Sequence, residues 1–250
     1  MRWNKSAARR RRFLLALGVI CLAGVLGFGQ SPATQNPAPA PTSPTPASGE
    51  RPALIVIDPA HGGSDPGALL TPDSAEKEIT LAVARRLRQE LSARGIASQL
   101  VRDGDATFSL DQRAAVANSA YPALYLAIHA SSLGSGLRVF TAMLPVAGKS
   151  RGPFLNWDTA QAPFMERSKT AQAQIVAAVQ KTGFPVRALI APLRPLNNLK
   201  VPAIAIEISP ANGETSQVAA TGYQQMICAA LANAIASMVP SLSSRTEIQP

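Results

Sequence analysis

The chain has 250 residues, 46% of them hydrophobic and 16% charged, which is enough apolar material for a core and excludes disorder throughout. Aromatic residues make up 5%, and there are two cysteines and two histidines; this excludes a stacking surface for single-stranded nucleic acid, a disulfide scaffold and a four-cysteine zinc site. The net charge of +9 is mostly local, because six basic residues fall in the first twelve positions and +3 remains for the rest. That remainder indicates no nucleic-acid face and suits a polyanionic surface such as a cell wall.

In chain order, residues 1–12 are basic and residues 13–28 form an uncharged apolar run. This is the n-region and h-region layout of an export signal, and the run is short for a stable span, which takes about 20 residues. Residues 1–29 are therefore expected to be a signal peptide, with Gly27 and Gly29 beside a cleavage point, or a retained membrane anchor. No other membrane association is expected. The run Arg10-Arg11-Arg12-Phe13-Leu14-Leu15 resembles a twin-arginine signal and equally fits an ordinary basic n-region. Residues 30–52 hold seven of the 21 prolines and no apolar side chain larger than alanine or proline. They read as a disordered Pro/Ala-rich linker.

The folded region is expected over 53–240, with 241–250 a flexible tail. Residues 54–58 (LIVID) read as a buried strand ended by Pro59. Residues 76–94 read as a helix, with Ile79, Val83, Leu87 and Leu91 on one face and Gly95 as the stop. A weaker strand follows at 97–101, then a helix over 110–120 opened by Ser109. Residues 123–128 and 137–143 read as strands, 168–182 as an alanine-rich helix stopped by Gly183, 203–208 as another buried strand and 222–239 as the closing helix. Strands that alternate with helices and are apolar throughout predict one three-layer α/β domain, with a mainly parallel central sheet and helices on both faces. Cys228, in the closing helix, is expected to be a packed core thiol. The segment 144–167 reads either as a lid or as a long surface loop.

Ligands of open α/β sheets gather beyond the carboxyl ends of the strands. His61 follows the first strand, His129 directly follows ALYLAI, and Glu207 sits near the end of AIAIEI. Parallel neighbouring strands would bring these three to one edge, with Glu76, in the first turn of the first helix, over the same edge. Two histidines and a carboxylate form a zinc ligand set with a position left open, and a second carboxylate can serve as general base and acid. On that reading His61, Glu76 and His129 hold one zinc ion and Glu207 moves the proton. Structural readings stand beside it: His61 as a turn residue, His129 as a satisfied strand-end histidine, Glu76 as a capping-box residue with Asp73 as N-cap, and Glu207 as an ion-pair partner. No G-x-S-x-G motif and no P-loop ending occur.

Several stretches together resemble a known family. IVIDPAHGGSDPGA (55–68), Glu76-Lys77-Glu78-Ile79, Arg102-Asp103-Gly104-Asp105, Arg113 with Ala117-Asn118, Ala127-Ile128-His129-Ala130 and PAIAIE (202–207) are similar, in order and spacing, to motifs of the zinc-dependent N-acetylmuramoyl-L-alanine amidases, type 3. The resemblance implies zinc binding by His61, Glu76 and His129 and catalysis by Glu207. It implies peptidoglycan as partner and substrate, with the bond between N-acetylmuramic acid and L-alanine cleaved outside the cytoplasm, periplasmic or wall-facing, with or without a protein activator. Ala60 and Ser131 replace a common glycine and asparagine, and Ile208-Ser209-Pro210 departs from the usual stretch after the last glutamate. Those departures keep two alternatives: a non-catalytic peptidoglycan-binding protein of the same fold, and a zinc peptidase acting on the stem peptide.

Overall fold

The branched run Leu54–Pro59 forms strand β1, buried on both faces after its first residue. A small hairpin of β2 (Leu69–Thr71) and β3 (Ser74–Ala75) leads straight into helix α1 (Glu76–Ser92). The expected stripe of Ile79, Val83, Leu87 and Leu91 is the buried face of α1. Strand β4 (Ala97–Leu100), helix α2 (Leu110–Ala120), strand β5 (Leu124–Ala130) and strand β6 (Leu137–Ala142) follow. Helix α3 (Met165–Gln180), edge strand β7 (Val186–Ala191), strand β8 (Ala203–Ile208) and helix α4 (Thr221–Ser243) complete the order. The computed structural model describes residues 52–145 and 159–243, all within a unit spanning 48–250. The expected signal or anchor, the linker, and Phe154 and Trp157 of the expected loop lie outside the described residues.

The six-stranded sheet has the order β4-β1-β5-β8-β6-β7. All neighbours are parallel except β6, which runs antiparallel to β8. One face carries α1, α3 and α4 over Ile55, Ile57, Leu126, Ile128, Ile204 and Ile206. The other carries α2 and the 196–201 segment over Val56, Tyr125, Ala127, Ala203 and Ala205. The expected three-layer α/β arrangement is thus the observed one, with the second layer the thinner. Truncating fully buried Leu87 to alanine is expected to cost about 2–5 kcal/mol, transfer and cavity terms together, read from the urea midpoint. A change under about 0.5 kcal/mol, the range of ordinary surface substitutions, would contradict its place in the core.

Four local differences from expectation have physical causes. The strand β7 was not anticipated, because Arg187 breaks its apolar run and residues 187–190 are exposed along the sheet edge. Helix α3 starts at Met165, three residues early, within the segment read as a lid or loop. The N-cap of α1 is Ala75 rather than Asp73: its N–H donates to Glu78 Oε2 at 2.8 Å, so Glu78 takes the capping role and Glu76 is left for other work. Finally, α4 continues through Pro240 to Ser243, held by buried Met238 and Leu242, so the expected tail is helical at its start.

By length and composition α4 could cross a membrane, yet Ile227, Cys228, Leu231 and Ile235 are buried in the core. Burial pushes the Cys228 thiol up to about 12, as expected of an inert packed cysteine.

Candidate metal centre and active edge

The site begins with a buried polar frame beneath the carboxyl edge of the sheet. Asp58, near the end of β1, accepts hydrogen bonds from Arg113 Nη1 and the Tyr125 hydroxyl. Burial, and after it the Asp58 charge, pushes the Tyr125 phenol well above its ordinary value. Arg113 Nη2 then donates to the carbonyl of His61 at 2.6 Å. His61 has φ 61°, a left-handed conformation that an ordinary residue keeps only when its surroundings fix it. Arg113 is part of that fixing.

The glycine-rich turn after His61 closes the other side. Gly67 has φ +68°, and a Cβ there would lie 2.7 Å from the His61 ring and 2.8 Å from Glu76 Cβ. Only glycine leaves room for those two side chains to meet. The hairpin before α1 brings Ala68 against Glu76, whose backbone N–H donates to Ala68 O at 2.8 Å.

Glu76, His61 and His129 converge. Glu76 Oε2 lies 3.1 Å from His61 Nε2, and Oε1 lies 3.0 Å from His129 Nδ1. The carboxylate also accepts from the Ala68 N–H at 3.2 Å and the Ala130 N–H at 3.1 Å. Burial works to raise the Glu76 pKa, but hydrogen bonds from His129 and His61 outweigh it and hold the carboxyl well below its usual range. His61 is shifted up by its hydrogen bond to Glu76, against burial and with help from Asp65. The ligand atoms of the three residues all lie within 4.8 Å of one another. Two imidazole nitrogens and a carboxylate oxygen make a donor set that zinc accepts. The site therefore fits such an ion. On the outer side, Asp65 Oδ2 lies 2.8 Å from His61 Nδ1, which leaves Nε2 as the inward-facing nitrogen.

Glu207 occupies the neighbouring strand in register with His129, so both side chains stand on one face of the sheet. On its other side Glu207 is in register with Arg138 of β6, whose Nη2 lies 2.5 Å from Glu207 Oε1. His129, Glu207 and Arg138 thus form a row across β5, β8 and β6. The thin second layer leaves this row partly open, with side-chain exposures of 38%, 23% and 25%. Glu207 is an ion-pair partner as well as the cross-strand neighbour of His129.

The structure brings together His61, Glu76 and His129 and puts Glu207 beside His129. Sequence reasoning did not single out Asp65, Asp58, Tyr125 or Arg138. Asp65 and Arg113 lay inside motifs and had no role assigned. The signal for Arg138 was present: in LRVFTA a period of two puts it on the face opposite Leu137 and Val139.

Comparison with known proteins follows the same lines. A family model described as N-acetylmuramoyl-L-alanine amidase matches residues 55–237. The chain is 33% identical over 107 residues to the N-acetylmuramoyl-L-alanine amidase AmiA of Escherichia coli K12, covering 41% of this chain and 37% of that protein. It is 41% identical over 78 residues to the amidase LytC of Bacillus subtilis 168, covering 31% of this chain and 16% of that one. These aligned stretches span well under half the length of those relatives. Among solved structures, the amidase of Clostridium difficile 630 matches at a TM-score of 0.57 and 25% identity, covering 76% of this chain and 98% of that one. The amidase Ami1 of Mycobacterium smegmatis matches at 0.60 and 20%, covering 76% and 97%, and shares the fold. With the family model spanning most of the chain and the fold agreeing, this protein belongs to the N-acetylmuramoyl-L-alanine amidase family.

Proposed function

We propose that this chain hydrolyses the amide between N-acetylmuramic acid and L-alanine in peptidoglycan. One zinc ion would be held by His61, Glu76 and His129, with Glu207 as general base and then acid. The observation that carries the reading is the convergence of His61, Glu76 and His129 within 4.8 Å, with Glu207 in register beside His129, in a chain of this family. The basic and apolar 1–29 segment and the linker over 30–52 support export, as a cleaved or anchored protein, to a periplasmic or wall-facing place where peptidoglycan is found.

Zinc bound at this set would polarise the amide carbonyl and make water more acidic. The rest of the chemistry falls to the chain's own side chains. Glu207 accepts the proton of the attacking water and delivers it to the amide nitrogen as the C–N bond breaks, so the L-alanine amine leaves neutral. His61 presents Nε2 because outer partners hold it: Asp65 on Nδ1 and Arg113 on its backbone carbonyl. Replacing Asp65 with asparagine is expected to weaken zinc affinity about 10–100-fold, the usual effect of losing a partner of a ligating histidine. Competition with a chromophoric chelator measures it, and unaltered affinity would remove Asp65 from the site.

The deciding experiment is mass spectrometry of purified peptidoglycan incubated with the full chain and zinc. Free stem peptides beginning with L-alanine, together with peptide-free glycan strands, are the expected products. Cuts inside the stem peptide would instead assign a peptidase. Retention on intact sacculi with no soluble product would assign a binding protein.

A further inference from the structure

We propose that Arg138 is the positioning residue of the active edge: it pins one oxygen of Glu207 and leaves the other for the proton. This rests on the amidase reading above and adds a residue to it. Arg138 Nη2 reaches three acceptors, Glu207 Oε1 at 2.5 Å, Leu133 O at 2.9 Å and Ser209 Oγ at 3.4 Å. Ser209 Oγ in turn donates to Leu133 O at 2.9 Å. The guanidinium therefore ties Glu207 to the turn that follows the His129 strand and to the residue two places after Glu207 itself. Among the described residues Oε2 of Glu207 has no hydrogen-bond partner, so one carboxylate oxygen is anchored and the other is free to react.

The arrangement serves geometry better than stability. Both side chains are about a quarter exposed, a setting in which an ion pair contributes little to folding. Among the described residues Arg138 Nε is buried without an acceptor, which costs free energy. The backbone is also shaped around the guanidinium. Gly134 has φ +100°, a conformation that favours glycine, and a Cβ there would sit tightly, 3.2 Å from Arg138 Cζ. Register does the rest, because Arg138 and Glu207 are cross-strand partners, a pairing that fixes their side chains on one face a few ångströms apart. A carboxylate on a flexible side chain would otherwise sample several rotamers, and a misplacement of about 1 Å can cost about 100-fold in rate.

The test uses the full chain with zinc and compares wild type, Arg138→Gln, Arg138→Lys, Glu207→Gln and the Arg138→Gln/Glu207→Gln double variant. Release of stem peptide gives kcat and KM, and metal content and melting temperature are measured on the same samples. Arg138→Gln is expected to lower kcat about 100-fold with KM, zinc content and melting temperature unchanged. Arg138→Lys, which keeps the charge and one donor, should recover part of the loss. The double variant should be no slower than Glu207→Gln alone, because residues that act as a unit are not additive. Wild-type or higher kcat in Arg138→Gln overturns the proposal, as does a loss confined to KM or one that multiplies with that of Glu207→Gln. A zinc-loaded wild type that releases no stem peptide overturns the amidase reading and this proposal with it. A fully active wild type with an unaffected Arg138→Gln overturns this proposal alone.

Discussion

Glu207→Gln is expected to lower turnover about 100- to 10,000-fold, the range that general acid–base catalysis contributes, while zinc content stays at the wild-type level. The substitution is close to isosteric. The glutamine carbonyl can still accept from Arg138 Nη2, which now lies 2.5 Å from Glu207 Oε1, so strand register and the row across β5, β8 and β6 have no reason to change. What is lost is the capacity to take a proton. Because the His61, Glu76 and His129 cluster does not include Glu207, metal binding and turnover should separate cleanly in this variant. Peptide release at the wild-type rate would remove Glu207 from the mechanism. A fall in zinc content would make it a ligand instead.

His129→Ala is expected to strip the metal. It removes one of two imidazoles and the hydrogen bond that is the largest influence holding the Glu76 carboxyl down against its burial. Glu76 would keep only His61 as a side-chain partner among the three residues, with the Ala68 and Ala130 amides still donating. The loss of affinity should exceed the roughly 10–100-fold typical of an outer partner. Elemental analysis after dialysis measures it, and unchanged stoichiometry would sink the ligand role. The fold should survive, since His129 lies at the strand end and is 38% exposed, outside both apolar clusters.

The parts of this architecture that the sequence made legible are those with a period. The four-residue repeat of Ile79, Val83, Leu87 and Leu91 marked the buried face of α1, and each continuous run of branched residues marked a strand covered on both sides. The rule that ligands collect beyond strand ends was enough to group His61, His129 and Glu207; donor chemistry suggested their roles, and the family resemblance implied the same ones. The interactions that escaped depend on chain direction and on distant pairing. Arg138 and Glu207 are 69 positions apart, and they meet only because β6 runs against β8. Had β6 been parallel, its first residues would have fallen at the opposite edge of the sheet. Asp58 and Arg113 are 55 positions apart, and nothing local in either segment signals that one arginine grips both a buried carboxylate and the His61 carbonyl. The capping of α1 differs for a related reason: spacing offers Asp73 with Glu76, and the β2–β3 hairpin instead sets Ala75 as N-cap with Glu78 as its partner.

The reversed strand also separates what can change in this protein from what cannot. β6 enters at the active edge, where Leu137 pairs with Ile208, and leaves at the other edge. The chain resumes there too: Gln161 donates from its backbone to Asn197 O and from its side chain to Val201 O, just before β8 begins. The described chain therefore leaves β6 toward Pro145 and takes up again from Thr159 on the side of the sheet away from His61 and His129. Insertions, fusions or labels placed beside Pro145 or Thr159 would enter on the side away from the site. A change there leaves the metal-binding edge untouched, while the six-residue turn between β5 and β6, tied to Arg138 and Ser209, has no such freedom.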